Sequence, residues 1–396
     1  MIRILLLSFY YPPDIGPGPT RAKALVNALL HVAEHSDLSD LQIDVITTLP
    51  NRYHTLNVNA STVEQNGVVC IQRIYLPPHQ SGMVDQARAF GAYACEVLRL
   101  GRTHQWDIII ATSSRLMTMS LGAWVAQQSG ARLYLDVRDL FTDTMEDVLV
   151  KSALRHVMPA FRLLERWVFR TADQINVVSA GFLPHIHEVA PQFKPSVFTN
   201  GIDNEFIVQD FSPSTTNEVP LILYAGNMGE GQGLHHILPK IAWKLEGKVC
   251  FRLLGDGGRK SILRNMLSNY AVSNVEMLNP VTRDALLAHY READVLFLHL
   301  NDYRAFHKVL PSKIFEYAAT GKPILAGVAG YAAEFLREQV PGMEVFKPCD
   351  AAAMESALQR LLAGPRMIER TDFCTRYKRE NIMRDMAGEI LSLLID

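Results

Sequence analysis

Short continuous apolar runs alternate with amphipathic stretches along the whole chain. Runs of strand length lie at residues 1–7, 43–46, 68–71, 108–111, 133–135 and 175–178. Between them, residues 21–32, 83–100, 117–127 and 152–170 carry apolar side chains at helical spacing. Uninterrupted apolar strands separated by helices signal a parallel sheet covered on both faces. The alternation stops at Asp210-Phe211-Ser212-Pro213-Ser214-Thr215-Thr216-Asn217-Glu218-Val219-Pro220, a Ser/Thr/Pro-rich stretch without period that reads as a linker. It restarts with strands at 221–224, 249–254, 275–278, 295–298, 323–326 and 343–346, and helices near 234–245 and 260–270. The C-terminal stretch reads as largely helical, with Gly364-Pro365 as a break. The expected fold is α/β, with two Rossmann-like domains facing each other across a cleft. They are placed at 1–205 and 206–375, with a C-terminal helix at 376–396 crossing back to the first. In open parallel sheets a ligand binds beyond the carboxyl ends of the strands, so the cleft is the expected site.

The stretch Leu310-Pro311-Ser312-Lys313-Ile314-Phe315-Glu316-Tyr317 says most about chemistry. Pro311 suits a first helical turn, where its missing N–H would go unpaired anyway. Lys313 and Glu316 sit three apart on one face. Helix-terminal N–H groups, the helix dipole and a lysine together suit an anion such as a diphosphate. A carboxylate one turn in can accept hydrogen bonds from a sugar diol. The pattern points to a nucleotide or nucleotide-sugar pocket, against the plainer reading of an ordinary helix start.

Glycine-rich turns follow several strands. The first strand leads into Pro12-Pro13-Asp14-Ile15-Gly16-Pro17-Gly18-Pro19-Thr20-Arg21, which departs from the dinucleotide fingerprint. In the second half, Gly226-Asn227-Met228-Gly229-Glu230-Gly231-Gln232-Gly233 and Gly255-Asp256-Gly257-Gly258-Arg259-Lys260 repeat the strand–glycine loop–helix order. Such glycines allow a backbone to approach a ligand, while Arg259 and Lys260 can hold an anion or be solvated. Asp136-Val137-Arg138-Asp139 closes a strand, where charged groups are costly unless paired or used. Arg138 can pair with either aspartate or serve chemistry.

Composition narrows the classes. The chain has 396 residues, 48% of them hydrophobic, enough for two cored domains. Thirty-nine Lys and Arg against 41 Asp and Glu leave a net charge of -2, without the basic excess that marks nucleic-acid binding. Five scattered cysteines suit reduced thiols in a cytosolic protein. The apolar start is too short for a signal segment and reads as a buried strand. D-x-D and G-x-S-x-G do not occur, and His235-His236 and His185-x-His187 lack cysteines at zinc spacing, so neither a metal nor a serine nucleophile is expected. Lys151, Arg155, Arg162, Arg166 and Arg170 recur among Leu154, Val157, Phe161, Leu164 and Val168. Such a helix can lie on anionic lipid or pack on its own sheet with a solvated face.

With these residues assembled, the chain resembles the retaining GT-B glycosyltransferases of family 4 (group 1), especially bacterial members that build O-antigen or capsule. The likeness is carried by Tyr10-Tyr11-Pro12-Pro13 with its glycines, Asp136-Val137-Arg138-Asp139-Leu140-Phe141, Thr199-Asn200-Gly201-Ile202-Asp203, Tyr224-Ala225-Gly226-Asn227, Leu254-Gly255-Asp256-Gly257 and Pro311-Ser312-Lys313-Ile314-Phe315-Glu316-Tyr317. In that family two carboxylates recur as E-x(7)-E, and the second binds the donor ribose. Glu316 matches the second, and Lys308 stands where the first would be. Arg138 replaces the usual active-site histidine, and Asn227 and Gln232 replace the usual arginine and lysine. The resemblance implies a UDP- or GDP-sugar donor on the second half. Its ribose is expected on Glu316 and its diphosphate on the amides of Pro311-Ser312-Lys313-Ile314. Gly16, Gly18, Gly226, Asn227, Gly255, Asp256, Gly257 and Lys308 are expected to line the donor, with Val281 and Pro280 in the base pocket. The expected catalytic set is Arg138, Asp139, Lys313 and Glu316. The acceptor, a saccharide or a lipid-linked saccharide, is expected on the first half near residues 16–21 and Asp139, with Arg21 in contact. Transfer of a hexosyl or N-acetylhexosaminyl group without metal or cofactor is implied. The expected location is the cytoplasm, with peripheral contact to the inner face of the cytoplasmic membrane through 152–170. The alternatives are a nucleotide-sugar 2-epimerase and a non-catalytic nucleotide- or carbohydrate-binding protein.

Overall fold

The computed structural model describes residues 1–36, 38, 40–51, 59–77, 83–113, 116–148, 156–212 and 218–395. Residues 213–217 of the expected linker, and Lys151, Leu154 and Arg155 of the basic stretch, lie outside them. The chain divides into two compact units, Met1–Asn200 with Arg379–Asp396, and Gly201–Lys378.

The first unit is built on β1 (Ile2–Leu7), β2 (Leu41–Thr48), β3 (Val63–Asn66), β4 (Val69–Ile74), β5 (Ile108–Thr112), β6 (Arg132–Val137) and β7 (Gln174–Val177), in the order β3-β4-β2-β1-β5-β6-β7. All neighbours run parallel except β3 and β4. Ile4 sits opposite Ile43 on one side and Ile108 on the other, so the apolar runs fall at the sheet's centre. β3 is the strand that the pattern misses. Val63-Glu64-Gln65-Asn66 is polar and largely solvent-facing, and it is held by its antiparallel pairing with β4 across the turn at Gly67 and by the Glu64–Arg73 ion pair at 2.8 Å.

The second unit carries β8 (Leu221–Ala225), β9 (Cys250–Leu254), β10 (Val275–Leu278), β11 (Val295–His299), β12 (Ile324–Gly327) and β13 (Met343–Phe346) in the order β10-β9-β8-β11-β12-β13, all parallel. Apart from the β3 edge, both sheets follow the doubly wound order, which reverses direction between β1 and β5 and between β8 and β11. Loops diverge at those two reversal points and leave room beyond the strand ends.

The helix Arg379–Ser392 belongs to the first unit. Its Met383, Met386, Ala387, Ile390 and Leu391 share a core with Leu25, Val26 and Leu29 of the helix Pro17–Glu34 and with Ile4 and Leu6 of β1. Each fully buried large aliphatic side chain there contributes about 1.5–3 kcal/mol. Polar ties fix the helix further: Arg379 Nη1 donates to the Asn200 carbonyl at 2.9 Å, and Tyr134 Oη to Glu389 at 2.8 Å.

Candidate functional site

In the second unit, β8 is followed by Gly226 at φ 148°, a conformation that favours glycine. A Cβ there would overlap the ammonium end of Lys313, so that lysine lies directly across Gly226. Lys313 opens the helix Lys313–Ala319, and Glu316 sits one turn further on. The structure therefore brings Gly226, Lys313 and Glu316 together at the carboxyl end of β8, beside the β8–β11 reversal.

The other glycines have a different job. A Cβ on Gly255 would strike the Gly226 carbonyl, and one on Gly257 would come within 2.6 Å of the Met228 backbone. Asp256 joins the same packing, its carbonyl accepting from Met228 N at 2.8 Å and its carboxylate from Gly257 N at 2.8 Å. The space left by the missing side chains of Gly255 and Gly257 is filled by the neighbouring loop, so these glycines let the two loops pack closely. Asn227 stays exposed and donates to Gln232 Oε1 at 2.8 Å.

Of the four expected diphosphate positions, Pro311 has no N–H and Ile314 N donates to the Pro311 carbonyl at 3.1 Å. The Ile314 side chain is fully buried in the core. Ser312 is the residue before the helix, and Lys308 closes the short 3-10 turn Arg304–Lys308. Val281 is half-buried just beyond β10 and packs against the core.

Glu316 has partners that the sequence did not suggest. Oε1 accepts from Arg283 Nη1 at 3.2 Å and Oε2 from Tyr290 Oη at 3.2 Å. Arg283 also pairs with Asp203 at 3.2 Å and with Glu205. Burial works against the charge of Arg283, but Glu316, Glu205 and Asp203 outweigh it and raise its pKa. Burial, aided by Glu316, pushes the Tyr290 phenol well above its ordinary value, so it stays protonated as a donor. Thr282, in an extended conformation just ahead of Arg283, is the local signal of the helix that carries both residues. Nothing in the sequence says that this helix packs against Glu316.

Charged residues nearby are mostly structural. Arg259 Nε meets Glu230 at 2.5 Å, and Lys260, buried, donates to the Gly255 carbonyl at 2.7 Å and to Asn279 at 3.0 Å. Lys260 is therefore structural, whereas Arg259 is paired with Glu230 while its side chain stays 43% exposed. Lys322 caps the Arg291 and Ala293 carbonyls at 2.9 and 2.6 Å, and burial lowers its pKa to about 8. His299 is buried, and that burial holds its pKa down to about 4. Its Nε2 accepts from Cys349 N at 2.9 Å, so Nδ1 carries the proton and donates to the Gln232 carbonyl at 2.6 Å. Glu230, His235 and His236 cluster closely enough to ligate an ion, as do the exposed His31, Glu34 and His35. Glu230 already accepts from Arg259 at 2.5 Å and from Tyr303 at 2.8 Å, and the Arg259 guanidinium disfavours a metal there.

In the first unit, Gly16 precedes the helix Pro17–Glu34 at φ 146°, and its carbonyl accepts from Thr20 N at 3.2 Å. Gly18 lies under Arg138, since a Cβ would come within 2.7 Å of the guanidinium. Ser113 Oγ accepts from Arg138 N at 2.5 Å and from Asp139 N at 3.1 Å, which pins the backbone after β6 and leaves Asp139 exposed. Arg21, expected against the acceptor, is buried instead. It pairs with Asp136 at 2.8 Å and donates to the Thr199 and Phe198 carbonyls at 2.6 and 2.9 Å. Asp136 thus takes Arg21 as its salt-bridge partner, with Arg138 adding to the positive field around it. Burial opposes the Asp136 charge, yet Arg21 holds its carboxyl below the usual range.

Against known proteins, residues 219–364 match the family model described as Glycosyl transferases group 1, and residues 25–201 that of a Glycosyl transferase 4-like domain. A curated relative from Escherichia coli K12, WcaI, named as a glycosyl transferase assigned to colanic acid biosynthesis, is 24% identical over 289 residues. That alignment spans 67% of this chain and 69% of the relative. Among solved structures, Anabaena HepE in complex with UDP-glucose is similar with a TM-score of 0.68 at 15% identity, over 99% of this chain and 100% of that one. The lipopolysaccharide outer core galactosyltransferase WaaB matches with a TM-score of 0.62 at 11% identity, over 99% of each chain. The architecture shared with these structures is GT-B.

Proposed function

The chain belongs to the group 1 glycosyl transferases, and on that footing we propose that it moves a hexosyl or N-acetylhexosaminyl group from a nucleotide-diphosphate sugar to a saccharide acceptor with retention of configuration. The observation that carries the donor reading is the placement of Lys313 across Gly226, one helical turn from a Glu316 carboxylate held by two donors. Glu316 takes the ribose hydroxyls, and Lys313 faces the diphosphate. As the glycosidic bond breaks, negative charge grows on the leaving diphosphate, and a fixed ammonium there favours the transition state over the ground state. Val281 borders the base. UDP is the first candidate, because HepE was crystallised with UDP-glucose. The exposed Asp139, on a backbone fixed by Ser113, is assigned to the acceptor side with Arg138.

A thermal-shift screen with UDP, GDP, ADP and CMP in excess EDTA tests the donor reading. A ligand at ~100 times its Kd adds about 2.7 kcal/mol to the folded state, so one diphosphate should raise Tm clearly with no divalent metal present. Stabilisation that appears only when a divalent metal is added would overturn the metal-free donor site. Donor consumed without acceptor, giving an epimeric sugar, would mark an epimerase.

The acceptor is assigned as a saccharide or a lipid-linked saccharide, the latter at the inner face of the cytoplasmic membrane; WcaI, named for colanic acid biosynthesis, is the relative that supports this reading. Among the described residues no helix is long and apolar enough to cross a membrane. The helix Met158–Thr171 exposes Arg166 and Arg170, with Arg162 paired to Glu146 at 2.6 Å, beside Leu163, which is 66% exposed. Each such arginine near an anionic leaflet contributes ~1 kcal/mol, screened by salt. In flotation assays, binding should require anionic lipid and drop for Arg162→Gln/Arg166→Gln. Protein that stays soluble at low salt would point to a soluble acceptor.

A further inference from the structure

Arg283 lies outside the family motifs that single out Glu316, yet it is the group that fixes how Glu316 points. Its guanidinium reaches three carboxylates, donating through Nη1 to Glu316 and through Nη2 to Asp203, both at 3.2 Å, and through Nε to Glu205. The guanidinium carbon sits 4.6 Å from the centre of the Phe206 ring, and Phe206 is fully buried against Phe211 and Tyr290. A planar fork gripped on its edges and on one face has little freedom to turn. Asp203 heads the short helix Asn204–Val208, so the Asn200-Gly201-Ile202-Asp203 segment supplies one of these grips.

Arg283 and Tyr290 are seven residues apart on the helix Arg283–Glu292, two turns along one face. One donates to Oε1 of Glu316 and the other to Oε2. An ionised carboxylate can accept about four hydrogen bonds. Two donors, one on each oxygen, fix the plane of the group and leave capacity for a diol. We propose that Arg283 is a positioning residue for donor binding. Held by Asp203 and Glu205, it orients Glu316 so that the carboxylate meets the 2′- and 3′-hydroxyls of the nucleotide ribose. Without Arg283, Glu316 would lose its donor at Oε1 and would face Asp203 and Glu205 without the guanidinium that bridges them, and like charges would turn it away. The proposal rests on the reading of Glu316 as the ribose contact.

The test is a double-mutant cycle read by titration calorimetry, using the nucleoside diphosphate that binds best among UDP, GDP and ADP and its 2′,3′-dideoxy analogue. Arg283→Met should weaken the ribose nucleotide about tenfold or more, the size of one charge-assisted hydrogen bond. It should change affinity little in a Glu316→Gln background, and little for the dideoxy analogue in either background. A role in holding the fold alone would lower all four affinities together, and that result would overturn the proposal. Equal losses with and without Glu316 would also overturn it. If Glu316→Gln by itself leaves affinity intact, the ribose reading fails and the proposal fails with it. Should Arg283→Met not fold, Arg283→Lys serves in the same cycle. It keeps the charge but gives up the fork that bridges Glu316 and Asp203, so the same non-additive loss is expected in smaller measure.

Discussion

Arg21→Met should cost the first unit about 3–5 kcal/mol of stability, because it leaves the Asp136 carboxylate buried without its cation. Methionine keeps most of the side-chain volume, so the loss reports charge rather than a cavity. Asn176 Nδ2 at 2.7 Å would be the main remaining donor to Asp136. Arg21→Met/Asp136→Leu should recover much of the loss, since a buried ion pair replaced by apolar groups is often neutral or better. Urea unfolding followed by the fluorescence of Trp106, Trp124 and Trp167 reads this unit, whereas Trp243 lies in the other. The pH dependence has a definite sign. Arg21 depresses the folded pKa of Asp136, so its contribution is full above the unfolded value of about 3.9 and is lost as pH falls through the folded one. A single-variant loss under ~1 kcal/mol would mean that Asp136 is not charged in the fold, since breaking a buried pair costs more than that.

Glu316→Gln should weaken nucleoside-diphosphate binding about tenfold to a hundredfold while the protein stays folded. Each hydrogen bond from a ribose hydroxyl to a carboxylate is worth ~1.5–3 kcal/mol. A glutamine presents one acceptor and one donor where the diol needs two acceptors. The amide fits the same space; its one oxygen keeps either Arg283 or Tyr290 as a donor, and its NH2 faces the other. Tyr290→Phe should have a smaller effect, since it removes a support and leaves the ribose contact. Calorimetry on the two variants separates them, and equal affinity of Glu316→Gln and wild type would take Glu316 out of the site.

The two sheets were legible because their strands are apolar runs buried on both faces, from Ile4-Leu5-Leu6-Leu7 to Ile108-Ile109-Ile110. β3 was not, because Val63-Glu64-Gln65-Asn66 has no such run and owes its pairing to β4 alone. The helix bearing Lys313 and Glu316 was legible from Pro311 and the spacing of its charges. The partners of Glu316 were not, because Arg283 lies 33 positions away and meets it only through the packing of two helices. Arg21 was misread for a related reason. A cation in the first turn after a glycine loop looks the same whether it faces a ligand or a buried aspartate 115 positions on. The glycines at 255 and 257 were recognised as sites of close approach, but what approaches them is the loop that holds Gly226 and Met228.

The position of the helix Arg379–Ser392 in the first unit sets an order on synthesis. The second unit is one continuous stretch, Gly201–Lys378, and all the strands of its sheet are present once that stretch has left the ribosome. The first unit is made earlier but is still short of the helix that brings Met383, Met386 and Ile390 to its core and a partner to Tyr134. At a synthesis rate of ~5–20 residues per second, the 178 residues between them hold that core open for on the order of ten seconds or more. The half made first is therefore the one finished last, and it is the half in need of chaperone cover while the chain is still growing.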